Sequence, residues 1–149
     1  MDHEADVVIF RTDNIWKHSH DYRDYRGIKL SNNLEILLVS DPKAAKSATA
    51  MSVKVGNLMD PVTHQGLAHL CEHIIAAGGS SKYQSEKQFC ELVKSNSGYC
   101  NACTKADRTE YMFEISSNKF KEALDNFSES FISPLFDHDF VEREVKAVD

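Results

Sequence analysis

An α+β fold, with helices packed on one face of a largely antiparallel sheet, is what the order of patterns along these 149 residues predicts. Runs of strand period come in neighbouring pairs, tight-turn residues separate the pairs, and stretches of helical period follow them without strict alternation. Hydrophobic residues at 42% and charged residues at 27% are ordinary for a globular chain. At this length folding buries roughly 68–70% of the unfolded surface, enough for one core.

Residues 1–24 read as an irregular lead-in, polar and carrying His18, His20, Asp21, Arg23 and Asp24; the domain proper is expected over 25–149. Tyr25 to Ser31 and Leu34 to Ser40 read as a hairpin around the turn pair Asn32-Asn33. The near-continuous apolar run Ile36-Leu37-Leu38-Val39 predicts burial on both faces of the second strand. Ala48 to Val55 alternates and reads as a third strand, with Gly56-Asn57 and Asp60-Pro61 in its exit loop. Thr63 is the expected N-cap of a helix running to Ala77, with Gly78 just past its end. Ser85-Glu86-Lys87-Gln88 has the capping-box pattern and opens a helix with Phe89, Leu92 and Val93 on one face. Tyr99 to Thr104 and Thr109 to Ile115 are strands around Lys105-Ala106-Asp107. Phe120, Ala123, Leu124, Phe127 and Phe131 have helical spacing, Pro134 stops that helix, and another begins after Asp137.

Charge and cysteine usage narrow the function classes. A net charge of −6 with no Lys/Arg cluster argues against nucleic acid as a partner. The acidic start, Met1 to Asp6, is unlike a secretory signal, and Val7 to Phe10 is too short to span a bilayer, so no membrane is expected. Four cysteines in such a chain are expected as reduced thiols, in a cytoplasmic setting. Cys100 and Cys103 invite a metal or redox reading, but residues three apart on a strand face opposite ways, which favours ordinary packing. His18, His20, His64 and His138 belong to no ligand pattern and are expected on the surface.

His69-Leu70-Cys71-Glu72-His73 is the informative segment. With His69 at zero on a helical wheel, His73 falls at about 40° and Glu72 at about 300°, so two imidazoles and a carboxylate share one face with Gln65 and Ala76. Leu67, Leu70, Cys71, Ile74 and Ile75 form an apolar back. The plainer alternative is a solvated polar face. Glu72, however, is the only formally charged residue between Asp60 and Lys82, where a solvent-facing helix shows several. Zinc hydrolysis needs such a set: protein ligands that leave a position for water, and a carboxylate that accepts the water's proton. His69 and His73 are the candidate ligands and Glu72 the candidate base, in the inverted H-x-x-E-H order.

Beyond this motif, the chain carries Tyr25-Arg26-Gly27, Leu38-Val39-Ser40-Asp41-Pro42, Asp60-Pro61, Gly66-Leu67-Ala68-His69 and Lys82-Tyr83. Asn101-Ala102-x-Thr104, Ala123-Leu124-Asp125, Pro134-Leu135-Phe136 and Arg143-Glu144-Val145-x-Ala147-Val148-Asp149 follow in order. Together they resemble the insulysin branch of the insulysin–pitrilysin zinc metallopeptidases, and Cys71 before the glutamate is the mark of that branch. The resemblance implies zinc (Zn2+) as cofactor, His69 and His73 as ligands, Glu72 as the catalytic residue, and peptide substrates. It also implies that Asn101 and Ala102 lie on an edge strand whose backbone pairs with an extended substrate. Departures occur at Ile74-Ile75-Ala76-Ala77, at Gly78-Gly79 in place of Gly-Thr, and at Gln84 in place of Pro.

The family's third ligand is a glutamate about two residues past Asp149, so the resemblance implies a domain incomplete at its C-terminal end. Glu144 matches an acidic residue one heptad earlier, roughly 10.5 Å away along the helix, and is expected to support the site from the outer shell. Remaining domains or a partner subunit of the family are the implied partners. Two other readings stand beside the peptidase: a non-catalytic peptide-binding or partner subunit, and a structural zinc site made from His69, His73, Cys100 and Cys103. A structural site is closed and has no need of Glu72.

Overall fold

The computed structural model describes residues 8–148, and of Val148 only the backbone. The acidic start and Asp149 lie outside the described residues. The chain divides into two compact units, Met1–Ala44 and Ala45–Asp149, so the boundary expected after residue 24 falls twenty residues later.

The first unit is a three-stranded antiparallel sheet in the order β1 (Val8–Thr12), β2 (Asp24–Leu30), β3 (Glu35–Ser40). Strand β1 corrects the reading of residues 1–24 as irregular: Arg11 pairs with Ile28 and Thr12 with Gly27. The β2–β3 turn is built as Asn32-Asn33 predicts. Asn33 takes the left-handed φ of 68°, and Asn32 Oδ1 accepts the Leu34 N–H at 2.9 Å. Strand β3 departs from expectation. Leu37 is 60% exposed, Leu38 47% and Val39 48%, because the described part of this unit has one sheet and no helix to cover it.

The second unit carries β4 (Lys46–Val53), β5 (Tyr99–Thr104) and β6 (Thr109–Ser116) in the antiparallel order β4-β6-β5. Four helices accompany them: α1 (Leu67–Ala77), α2 (Gln88–Ser95), α3 (Phe120–Ile132) and α4 (His138–Val148). The central strand β6 buries every second residue, Thr109, Tyr111, Phe113 and Ile115. Tyr111, Phe113 and Ile115 meet Val93 of α2 with Ala123 and Phe127 of α3, which fixes the helices on that face. Aromatic rings dominate the contact. Phe89 meets Phe113 edge-on at 5.3 Å, and Tyr111 meets Phe131 edge-on at 5.0 Å. Such pairs add about 0.5–1.5 kcal/mol each beyond burial. Helix α4 starts where Asp137 Oδ1 accepts the Phe140 N–H at 2.9 Å, and it anchors through Phe140, 1% exposed.

Two helix starts differ from the sequence reading. Helix α1 begins at Leu67, not after Thr63: Asp60 reaches across six to eight residues and accepts the N–H groups of Gly66 and Ala68, each at 2.8 Å. Its carboxylate satisfies donors that the first turn leaves free and adds negative charge at the positive end of the helix dipole. Gly66 enters at φ 89°, a conformation that other residues rarely adopt. Helix α2 begins at Gln88 without a side-chain cap, so the Ser85 capping box is not formed. Instead the Gln88 N–H donates to the Ser85 carbonyl at 3.3 Å.

Candidate metal centre

Helix α1 carries the three residues singled out by the motif, and its packing sets their environment. The buried positions are Ala68, Glu72 and Ile74, whereas Leu67 is 47% exposed and Cys71 is exposed. The apolar back is therefore divided, with Ile74 buried and Leu67 and Cys71 open. It forms a shallow apolar groove with Phe136, His138 and Val141, while the Glu72 side turns toward β5 and β6. A helix wheel gives the angle between faces but not which face the sheet covers.

The imidazoles of His69 and His73 meet edge to face, ring centres 4.7 Å apart, with Nε2 facing Nε2 at 3.2 Å. Two nitrogens bound to one tetrahedral zinc at about 2.0–2.1 Å would lie about 3.3 Å apart, so the observed spacing fits a shared cation. The donor atoms of His69, Glu72 and His73 all lie within 4.8 Å of one another. His73 Nδ1 sits 2.6 Å from Glu144 Oε2. With Nδ1–H donating to that carboxylate, the Nε2 lone pair is the one left to face His69.

Glu72, 8% exposed, accepts a 2.6 Å hydrogen bond from the Thr104 hydroxyl through Oε2. Thr109 in turn donates to the Val55 carbonyl at 2.8 Å. With both hydroxyl protons engaged, the 3.4 Å approach of Thr104 Oγ1 to Thr109 Oγ1 is proximity and not a bond. Thr104 was visible in the sequence only as part of a matched string. Its link to Glu72 spans 32 positions, and no local periodicity reveals it.

Asn101 and Ala102 lie on β5, which stands at the end of the strand order and has no strand on its other edge among the described residues. Both line a pocket of about 240 Å³ together with Glu72, His73 and Tyr111. Burial, with Cys71 and Glu72 nearby, pushes the Tyr111 phenol well above its usual range, which keeps it protonated. Gln65, expected on the histidine face, precedes the helix and donates to the Pro61 carbonyl at 3.1 Å. His18, His20, His64 and His138 are exposed.

The four-ligand alternative is not assembled. Cys103 is exposed with its sulfur toward the Thr104 carbonyl, and Cys100 Sγ lies 2.8 Å from Cys90 Sγ. That cysteine pair, ten residues apart on α2 and β5, is not signalled by the sequence, in which Cys100 and Cys103 are the conspicuous spacing.

With this geometry in place, comparison with known proteins is decisive. Residues 35–149 match the family described as Insulinase (Peptidase family M16). The chain belongs to the insulinase family. The insulin-degrading enzyme of Drosophila melanogaster is 44% identical over 140 residues, 94% of this chain and 14% of that relative. The human insulin-degrading enzyme is 40% identical over 136 residues, 91% of this chain and 13% of the relative. The chain thus spans about one-seventh of the length of these relatives. A crystal structure of pitrilysin superposes with a TM-score of 0.84 at 40% identity, covering 89% of this chain and 14% of that one. A Helicobacter pylori protease shares the fold at a TM-score of 0.73 and 24% identity. The α+β reading and the family resemblance both hold. No helix among the described residues is long and apolar enough to cross a membrane.

Proposed function

We propose that this chain contributes the metal-binding helix and the catalytic carboxylate of a zinc-dependent metalloendopeptidase. The observation that carries the reading is the pair of imidazole nitrogens facing each other at 3.2 Å, with a buried carboxylate beside them. His69 and His73 would hold the zinc through Nε2. When bound, the zinc supplies Lewis acidity that brings a water's pKa toward neutrality and polarises a carbonyl.

The rest is the work of the chain's own side chains. Glu144 accepts the Nδ1 proton of His73, fixing its tautomer and ring orientation. Thr104 holds Glu72 by Oε2, which leaves Oε1 free to take a proton from an attacking water and pass it to the leaving amine. Strand β5, through the backbone at Asn101 and Ala102, would pair with an extended peptide and bring its scissile bond beside Glu72. Short unfolded polypeptides are the substrate class that such strand addition accepts.

A second reading has its own support: among the described residues the histidine pair supplies two nitrogens, and a catalytic zinc takes three protein ligands. On that reading the segment binds peptides or partner domains without turnover by itself. Peptide hydrolysis by the chain alone separates the two, and one further experiment tests the catalytic roles. In a polypeptide extended through the rest of the domain and its partner domains, Glu72→Gln keeps zinc and loses about 10²–10⁴ in peptide hydrolysis rate. His69→Ala and His73→Ala lose the zinc itself, whereas Cys103→Ser keeps it. Near-normal turnover by Glu72→Gln would remove that carboxylate from the mechanism.

A further inference from the structure

Two of the four thiols lie face to face inside the pocket wall. Cys90 comes from α2 and Cys100 from β5, elements joined by a tight reversal at Ser97 (φ 58°) and Gly98. Their sulfurs are 2.8 Å apart, and a disulfide needs about 2.05 Å, so closure asks for a shift of under about 1 Å and no change of fold. Gly98 is part of the reason the two elements come so close. A Cβ there would meet the Glu114 carbonyl at 2.3 Å and the Val93 side chain at 2.7 Å, so only glycine lets the chain turn against the helix.

We propose that Cys90 and Cys100 are a reversible thiol–disulfide pair, closing to an intrachain bond when the chain meets a low-molecular-weight disulfide. The roles of the two sulfurs follow from their surroundings. The Cys100 thiol donates to the Cys90 sulfur and draws the Cys90 thiol down to about 7, against burial, with Lys94 and Lys87 adding in the same direction. Cys90 is thus the thiolate and the attacking group. It opens the external disulfide R–S–S–R, forming Cys90–S–S–R and releasing one RS⁻. Cys100 then attacks the Cys90 sulfur, releasing the second RS⁻. The two protein thiol protons end on two R–SH, and the external disulfide is the species reduced.

Cys71 and Cys103 are not part of the 2.8 Å sulfur pair. Both are exposed, and Cys103 points to the opposite face of β5 from Cys100. The pair lines the same pocket as Glu72 and His73, and Cys100 immediately precedes Asn101. Closure therefore fastens one wall of the pocket, α2, to the strand that forms another. The pair stands on geometry independent of any metal.

The test uses the 149-residue chain and bis(2-hydroxyethyl) disulfide, with intact mass and non-reducing peptide mapping. A folded Cys71→Ser/Cys103→Ser variant should lose two hydrogens, retain no hydroxyethyl group and yield a peptide joining residues 90 and 100. Cys90→Ser and Cys100→Ser added singly to that variant should each leave the other cysteine as a stable mixed disulfide. Mapping of the unmutated chain should find the same 90–100 bond, which guards against a variant that folds poorly. Mixed disulfides persisting on both Cys90 and Cys100, a first bond involving Cys71 or Cys103, or a chain whose folded form does not react would each overturn the pairing.

Discussion

Strands β3 and β6 carry apolar residues in similar measure and meet different fates. In β6 the even rhythm of Thr109, Tyr111, Phe113 and Ile115 is buried throughout, because α2 and α3 close over that face of the second unit. In β3 the run Ile36-Leu37-Leu38-Val39 has three members about half exposed. A sequence pattern says which residues share a face of a strand, and a continuous apolar run says that both faces tolerate burial. Whether anything covers either face is a property of distant chain. Polar groups divide the same way. In the first unit Arg26 and Asp13 pair on the surface, whereas in the second the carboxylate of Glu72 is enclosed and tied to a single hydroxyl.

The comparison is broken most sharply at Phe113. It is 2% exposed and touches the rings of Phe89, Phe120 and Phe127. Phe113→Ala should cost about 3–5 kcal/mol in urea unfolding, the range for deleting a buried phenylalanine. A loss below about 1 kcal/mol would mean that the aromatic cluster is not the core of the second unit.

A smaller effect is expected where the enclosed polar groups meet the metal. Glu144→Gln keeps an oxygen for His73 Nδ1 but removes the charge. In the extended polypeptide, zinc affinity should fall about 10–100-fold in competition with a chelator, as for other outer partners of metal-bound histidine. Unchanged affinity would reduce Glu144 to an ordinary contact between helices. Smaller again is Thr104→Val, which deprives Glu72 of its donor while keeping the shape. Because Glu72 opens on a pocket that water can enter, the stability cost should be about 1 kcal/mol, near the low end for a lost partner of a buried acceptor. The extended Thr104→Val chain should keep zinc and lose turnover, and Thr104→Ser should restore it. Full turnover in the valine variant would show that Glu72 needs no positioning from β5.

Much of this is legible in the sequence alone. The turn at Asn32-Asn33, the paired strands around Lys105 to Asp107 and the clustering of His69, Glu72 and His73 are all local. They follow from backbone preference or from residues three and four apart. What escaped the sequence is carried by contacts across distance. Strand β1 was hidden because Val8 to Thr12 has no polar–apolar alternation of its own and exists by pairing with β2. The start of α1 was misplaced because its cap comes from Asp60, beyond a looping segment, while the nearer Thr63 hydroxyl contacts the His64 ring. The Cys90–Cys100 pair needed the register of α2 on β5, which no spacing rule supplies.

The mildest expectation returns to β3. Leu37 is 60% exposed, so its side chain gives up little apolar contact when replaced. Leu37→Thr puts a β-branched residue of good strand propensity at that position, and surface changes of this kind usually stay within about 0.5 kcal/mol. The measurement that isolates the first unit is amide hydrogen exchange over residues 25–40, since global unfolding also reports the second unit. Protection there should be nearly unchanged in Leu37→Thr, while Ile36→Thr, at a less exposed position of the same strand, should lower it. If Leu37→Thr instead stripped protection from β2 and β3 as strongly as Ile36→Thr, the exposed side of β3 would be covered in solution. The reading of both faces as buried, made from the apolar run alone, would then be the right one.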